Sequence, residues 1–134
     1  MFNSTSCDVI AEYLPDKLRI PFHSVSRLER EHLTELRLNS GRGAALIFPD
    51  KVMYLTNCGL TANPANTATI IVSPADIEAV VNSLSHFSIH SCVEQLREGV
   101  FVLRGGIRVG LSGRYGNDGT LSDITGLNFR ISRN

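Results

Sequence analysis

A glycine-rich stretch has the outer spacing that phosphate-binding loops use. Gly105 and Gly110 match the two glycines of the motif G-x-x-x-x-G. In a phosphate loop a lysine and a serine or threonine follow, because the lysine binds the β- and γ-phosphates. Here Leu111 and Ser112 follow instead, and the whole segment has the pattern of a strand. The sequence therefore predicts no nucleotide-binding loop in this chain.

Histidines and carboxylates are the other side chains that could carry chemistry. His86 and His90 lie at i and i+4, but there is no H-E-x-x-H motif, so we expect no metal site. Glu94 and Glu98 lie one turn apart beside Arg97, which is typical of a solvated helix face. We therefore expect no catalytic, cofactor-binding or metal-binding residue. A small enzyme with an unrecognised site is the alternative.

The charge balance hides a concentration of arginine. The 134 residues contain 13 basic and 13 acidic side chains, and the length fits one domain. From Arg104 onward five arginines stand against two aspartates, so this segment is positive and the rest of the chain is negative. Two interpretations remain open. The arginines are scattered and solvated, or they form a face that meets an acidic partner, a phosphate or another domain.

The cysteines and the absence of a leader bear on the compartment. Cys7, Cys58 and Cys92 are odd in number and lie far apart, which favours reduced thiols in a cytosolic protein. No basic and apolar leader opens the chain, and no apolar stretch is long enough to span a membrane. We expect a cytoplasmic protein.

The elements that would position these residues are read from periodicity and capping. Ser26 and Ser73 begin helices, and Ser73-Pro74-Ala75-Asp76 is the strongest helix start. Apolar residues at helical spacing then predict two consecutive helices, the first up to Leu84 and the second from Ile89 to Leu96. Period-two alternation predicts strands at 36–38, 44–48, 52–55, 69–72, 100–104, 107–115 and 127–131, with a loop at 57–67. The predicted fold class is α+β: a largely antiparallel or mixed sheet with a central helical hairpin and short N-terminal helices, forming one domain over residues 1–134.

One β-hairpin is predicted in more detail. If Gly105-Gly106 is a two-residue turn, Arg104 lies opposite Ile107 and Val102 lies opposite Val109. Both faces of such a hairpin carry apolar surface. We therefore expect the hairpin to lie inside the sheet rather than at its edge.

Several motifs resemble the stage III sporulation protein AA family. Residues 87–114 are similar to that family's Glu-Glu-Leu-Arg-x-Gly helix end and the Gly-Gly-His-Arg-Val-Gly hairpin that follows it. Residues 35–38 resemble its Glu-Ile-Arg-Leu, and residues 123–131 resemble its Asp-Ile-Ser-Ser-Leu-Asn-Ile-Arg-Ile. The matching positions in the helix and hairpin are Glu94, Leu96, Arg97, Gly99, Gly105, Gly106, Arg108, Val109, Gly110 and Gly113. The chain departs from the pattern at Ile107, Arg104 and Asn39, where the family has His, Pro and Arg.

The resemblance implies the N-terminal domain of a larger sporulation ATPase related to the type II and type IV secretion ATPases. Its P-loop ATPase domain, with ATP and magnesium, would lie outside this chain, since residues 131–134 end where a domain boundary is expected. The implied role is non-catalytic assembly or regulation within a hexameric motor. That motor would be held at the membrane by proteins of the channel between mother cell and forespore.

The resemblance and the arginine bias together give candidate contact residues. The candidates for contact with the ATPase domain or a neighbouring subunit are Arg37, Arg104, Arg108, Arg114 and Arg130. The alternative function is a nucleic-acid-binding module that uses an arginine-rich sheet face. The zero net charge counts against this alternative, because phosphate binding needs a concentrated basic surface.

Overall fold

A computed structural model describes residues 2–85, 93–119 and 121–132 of the chain. Five α-helices lie within these ranges, and the first three precede every strand. They are α1 (Phe2–Ala11), α2 (Asp16–His23), α3 (Arg27–His32), α4 (Pro74–Leu84) and α5 (Val93–Glu98). The prediction of short N-terminal helices is confirmed. The central helical hairpin corresponds to α4 and α5, although the predicted start of its second helix lies in residues 86–92, outside the described residues.

The strands form one seven-stranded sheet in the described part of the chain. They are β1 (Glu35–Asn39), β2 (Ala45–Phe48), β3 (Lys51–Thr56), β4 (Gly59–Thr61), β5 (Val100–Leu103), β6 (Ile107–Tyr115) and β7 (Leu121–Ile131). Their order is β4-β3-β2-β1-β7-β6-β5, and every pair is antiparallel. The predicted α+β class with a largely antiparallel sheet is therefore confirmed.

The helices cover one face of the sheet and form the core with it. Alternate residues of the central strands, such as Leu36, Leu38 and Phe129, are almost fully buried. They belong to one apolar cluster with side chains of α1, α2 and α4. Because strand side chains alternate between the two faces, the intervening residues of the same strands lie on the other side of the sheet.

The N-terminus of α4 is held by an ionised carboxylate. Asp76 Oδ2 accepts hydrogen bonds from Lys17 Nζ and Ser73 N, both at 2.8 Å, and Ser73 Oγ accepts one from Asp76 N. Burial alone raises the pKa of Asp76. The hydrogen bonds from Lys17 and Ser73 outweigh burial, so the pKa lies below its ordinary value. This carboxylate therefore ties α2 to the start of α4.

Asp76→Ala is expected to lower the free energy of unfolding by about 1–2 kcal/mol at pH 7, because the cap acceptor and the ion pair are both lost. A depressed carboxyl pKa stabilises the fold above the unfolded-state value of about 3.9. This stabilisation is lost as pH falls through the native pKa. Urea unfolding at pH 7 and pH 3 measures this dependence. Lys17→Met, which removes only a half-exposed partner, should cost less. An equal Asp76→Ala deficit at both pH values would contradict the assignment.

The predicted register of the β5–β6 hairpin was wrong by one residue. The turn contains three residues, Arg104–Gly106, and both glycines have positive φ. Leu103 therefore pairs with Ile107, and Val102 pairs with Arg108 instead of Val109. Val102 is 67% exposed as a result. The hairpin also reaches the edge of the sheet, because β5 is its outermost strand.

Two other strand predictions were also wrong. The predicted loop at 57–67 contains the short edge strand β4, which is too short to show a clear alternation. The predicted strand at 69–72 makes only two isolated bridges, from Thr69 to Thr56 and from Ile71 to Gly43. This segment therefore lies beside the sheet and does not join its ladder.

Candidate interface on the open sheet face

The sheet face opposite the helices is solvent-exposed, and we call it the open face. A row of directly opposed residues crosses six strands there, and neighbours in this row share a face because paired antiparallel residues point the same way. In order across the sheet, the row is Val52, Ile47, Glu35, Arg130, Arg108 and Val102. The open face thus has positive charge at its centre and apolar residues toward both ends.

Arg108 and Arg130 form the positive centre of this row. They lie directly opposite each other on β6 and β7, and both are exposed. Opposed side chains in an antiparallel pair have Cβ atoms about 4.5–5.5 Å apart, and like charges there are destabilising. Neither arginine has an ion-pair partner among the described residues. The pair therefore presents two guanidinium groups whose repulsion a carboxylate would relieve.

Arg37 and Arg114 extend the charge of the open face. Arg37 lies on β1, exposed, and its Nε donates to Glu35 Oε1 at 3.0 Å. Alternation along β6 places Arg114 on the same face, where it is paired with Asp123 at 3.4 Å and its side chain remains 85% exposed. Four of the five predicted contact residues therefore share one surface, although they come from three strands.

The fifth predicted residue, Arg104, lies elsewhere. It occupies the β5–β6 turn, and its guanidinium donates to both carboxylate oxygens of Glu12, in the turn directly after α1. These hydrogen bonds lower the pKa of Glu12. Arg104 thus joins the hairpin to the helical layer and is not part of the open face.

A hollow indents the open face beside Arg37, and sequence reasoning did not find it. It has a volume of about 500 Å³ and is bordered by strands β1–β3, the turn after β1 and the segment before α4. Its polar lining includes Arg37, Asn39, Arg42 and Tyr54. No local pattern could have revealed it, because the residues meet only through the pairing of three strands and a distant loop. We call it the Arg42 hollow.

The structure also bears on the histidines and carboxylates considered in the sequence. The described residues contain no group of three or more histidine, cysteine, aspartate or glutamate side chains that could hold a metal ion. His86 and His90, at which no metal site is expected, lie outside the described residues. Glu94 is paired with Arg97 at 3.0 Å on α5, as expected for a solvated helix face. No described helix is long and apolar enough to cross a membrane.

A curated protein of the family that the motifs resemble is similar to this chain. Over 128 residues, which are 92% of this chain, the sequence is 29% identical to stage III sporulation protein AA of Bacillus subtilis (strain 168). The chain is similar to stage III sporulation protein AA. It spans 38% of the length of that relative. The resemblance read from the helix, hairpin and strand motifs is thus confirmed over nearly the whole chain.

A solved structure and the known family models were also compared. The VirB11 ATPase from the Brucella suis type IV secretion system, solved in complex with sulphate, covers 100% of this chain at 12% identity. The match spans 32% of the VirB11 chain with a TM-score of 0.46, a level that carries no argument about function. No family model matches the chain. The similarity to stage III sporulation protein AA is therefore the comparison that bears on function.

Proposed function

We propose that this chain is a non-catalytic assembly and regulatory domain of a longer ATPase that acts in endospore formation. The observation that carries the proposal is the open face with its opposed Arg108 and Arg130. The similar protein of Bacillus subtilis is a sporulation protein, and this chain spans 38% of its length. The proposal assigns ATP and magnesium binding to a separate P-loop domain outside residues 1–134.

The composition of the open face supports a role in protein contact. Val52 and Val102 lie toward the two ends of the row that contains the arginine pair. Both expose apolar side chains to water, which is energetically unfavourable. Protein interfaces are enriched in arginine, which can bind carboxylates with two parallel hydrogen bonds. A partner with acidic groups at the centre and apolar side chains at the edges would match this face. The proposed partners are the ATPase domain of the same protein or a neighbouring subunit of a hexamer.

The wider setting that we propose is the one that the motif resemblance implies. The longer protein would work in the cytoplasm of the mother cell and would be held at the membrane by channel proteins that lead to the forespore. In that arrangement this chain would couple ATPase subunits to one another and would carry out no chemistry itself.

Reading the natural gene beyond the codon for Asn134 tests this proposal. The expected result is a continuing frame that encodes G-x-x-x-x-G-K-[ST] after a strand. The longer product should then hydrolyse ATP with magnesium, and the 134-residue chain measured in parallel should not. A stop codon directly after Asn134, or a continuation without a phosphate loop, would contradict the ATPase assignment.

A nucleic-acid-binding module is the second candidate, favoured by the gathering of Arg37, Arg108, Arg114 and Arg130 on one sheet face. Phosphate binding releases counterions, so the affinity for an oligonucleotide should fall steeply as salt rises. Single-stranded recognition also uses aromatic residues that stack on bases. Tyr54, which lines the Arg42 hollow together with Arg37, is an aromatic residue on this face. Oligonucleotide binding that is absent even at low salt would remove this candidate.

A further inference from the structure

The Arg42 hollow exists because a small residue lies between two large ones. Register places Ala45 on β2 directly between Arg37 on β1 and Tyr54 on β3. Neighbouring strands lie about 4.8 Å apart, so the two large side chains stand roughly 10 Å apart with only a methyl group between them. Ile47 and Val52, the next opposed pair, extend this apolar floor. The floor would therefore accept an apolar side chain.

The wall of the hollow is fixed by backbone contacts. Gly41 N donates to Val72 O at 2.7 Å, and Val72 N donates to Arg42 O at 2.8 Å. Thr69 packs so closely on Gly43 that a Cβ there would lie 2.6 Å from Thr69 Cγ2. These contacts hold the turn after β1 against the segment before α4. The hollow is thus formed before any ligand arrives, which lowers the entropic cost of binding.

The rim of the hollow is cationic. Arg42 is exposed and has no ion-pair partner among the residues that the structure describes. Arg37 contributes a second guanidinium from the opposite side, where Glu35 accepts one of its hydrogen bonds. With Arg108, Arg114 and Arg130, five arginines lie on the open face and its rim, and Glu35 and Asp123 pair with two of them. Charge complementarity therefore calls for an acidic occupant.

The floor distinguishes between the possible acidic occupants. A single-stranded nucleic acid stacks its bases on aromatic side chains, and among the described residues Tyr54 is the single aromatic that lines the hollow. Ala45, Ile47, Val52 and the half-exposed Ile71 form apolar surface instead. Such surface matches an aliphatic or aromatic side chain. The combination favours a protein segment over a nucleic acid.

We propose that the Arg42 hollow binds a partner segment in which one apolar side chain is flanked by carboxylates. The apolar side chain lies on the Ala45 floor, and the carboxylates accept hydrogen bonds from Arg37 and Arg42. This inference rests on the proposed function only in assigning protein binding to the open face. It goes further by naming the chemistry of the partner and by adding Arg42, Ala45 and Tyr54 to the contact residues.

Selection from a phage-displayed library of random peptides on the immobilised 134-residue chain tests this inference. The expected consensus has aspartate or glutamate on both sides of a large apolar residue. A synthetic peptide with that consensus, labelled with fluorescein, then gives affinities by anisotropy. Ala45→Leu fills the floor without changing charge and should weaken binding about tenfold or more, as blocking an anchor pocket does. Arg42→Gln should weaken binding severalfold and reduce its salt dependence.

Two variants control for general effects of these substitutions. Ala75→Leu enlarges an exposed alanine on α4, in the helical layer, and Arg27→Gln removes an exposed arginine on α3; both should bind like the unchanged chain. A library without a common acidic and apolar pattern would overturn the inference. So would a selected peptide that binds Ala45→Leu as tightly as the unchanged chain. Because the 134-residue chain is used alone, a stop codon after Asn134 would defeat the ATPase proposal without affecting this result.

Discussion

Gly113→Ala is expected to lower the free energy of unfolding by about 3 kcal/mol, the upper end of the cost of overpacking. A Cβ at Gly113 would lie 2.0 Å from the carbonyl oxygen of Asp123 and 2.9 Å from Cα of Ile124. Both contacts are with the backbone of β7, which cannot move aside as a flexible side chain would. The β6–β7 pairing also changes register between Ser112 and Gly113, so the strands are already irregular there. The midpoint of thermal unfolding should fall by about 10 °C.

Gly110→Ala is the matched control for this substitution. Gly110 lies three residues earlier on the same strand, and a Cβ there would meet no atom within 4 Å. Its free energy of unfolding should stay within about 0.5 kcal/mol of the unchanged chain, as at other open surface positions. Urea unfolding followed by circular dichroism measures both variants. Equal urea midpoints for Gly113→Ala and Gly110→Ala would contradict the prediction, because they would show that the β7 backbone moves aside without loss of stability.

Arg108→Glu is expected to separate folding from assembly. The new carboxylate would lie opposite Arg130 and turn a repulsive cross-strand pair into an attractive one. The free energy of unfolding of the chain should therefore stay the same or increase by about 0.2–1 kcal/mol. The charge of the open face would change by two units at its centre. On the proposed function, subunit association of the proposed longer ATPase should then weaken by about tenfold or more, because the proposed contact between opposite charges becomes a repulsion.

Analytical ultracentrifugation of the longer protein and urea unfolding of the 134-residue chain give the two readouts. Arg27→Glu reverses an exposed arginine on α3, away from the open face, and should leave association unchanged. Arg108→Ala removes the charge without reversing it and should have an intermediate effect. Unchanged association in Arg108→Glu would exclude the centre of the open face from the subunit contact.

The strands could be predicted because alternation is a local property. Leu36 and Leu38 alternate with charged neighbours, and the structure buries them as the pattern indicates. The helix start at Ser73 was also predictable, since Ser73 and Asp76 form the capping box within four residues. By contrast, the hairpin register depended on whether Arg104 belongs to the strand or to the turn. Two adjacent glycines allow either, so local chemistry did not decide it.

The open face depended on pairings between distant parts of the chain. Arginine content identified Arg37, Arg108, Arg114 and Arg130, but only the β1–β7 and β6–β7 pairings bring them to one surface. Arg42 was assigned to no function because a turn arginine has no distinguishing pattern. The proposed role of Arg42 depends on Arg37 and Tyr54, which only strand pairing brings to the same hollow. The side-chain types were thus readable from sequence, and their grouping was not.

The central position of β7 has a consequence for how the chain reaches its fold. Strands β1–β4 are sequential neighbours and can pair as soon as they are made, and so can β5 and β6. In the described sheet only β7 joins these two sets of strands, since Leu36 pairs with Phe129 across most of the chain. Such non-local closure raises contact order and slows folding. During synthesis the edge of β1 therefore stays open to aggregation until residues near Phe129 have left the ribosome, and a chain shortened before β7 should yield two unjoined sheet fragments.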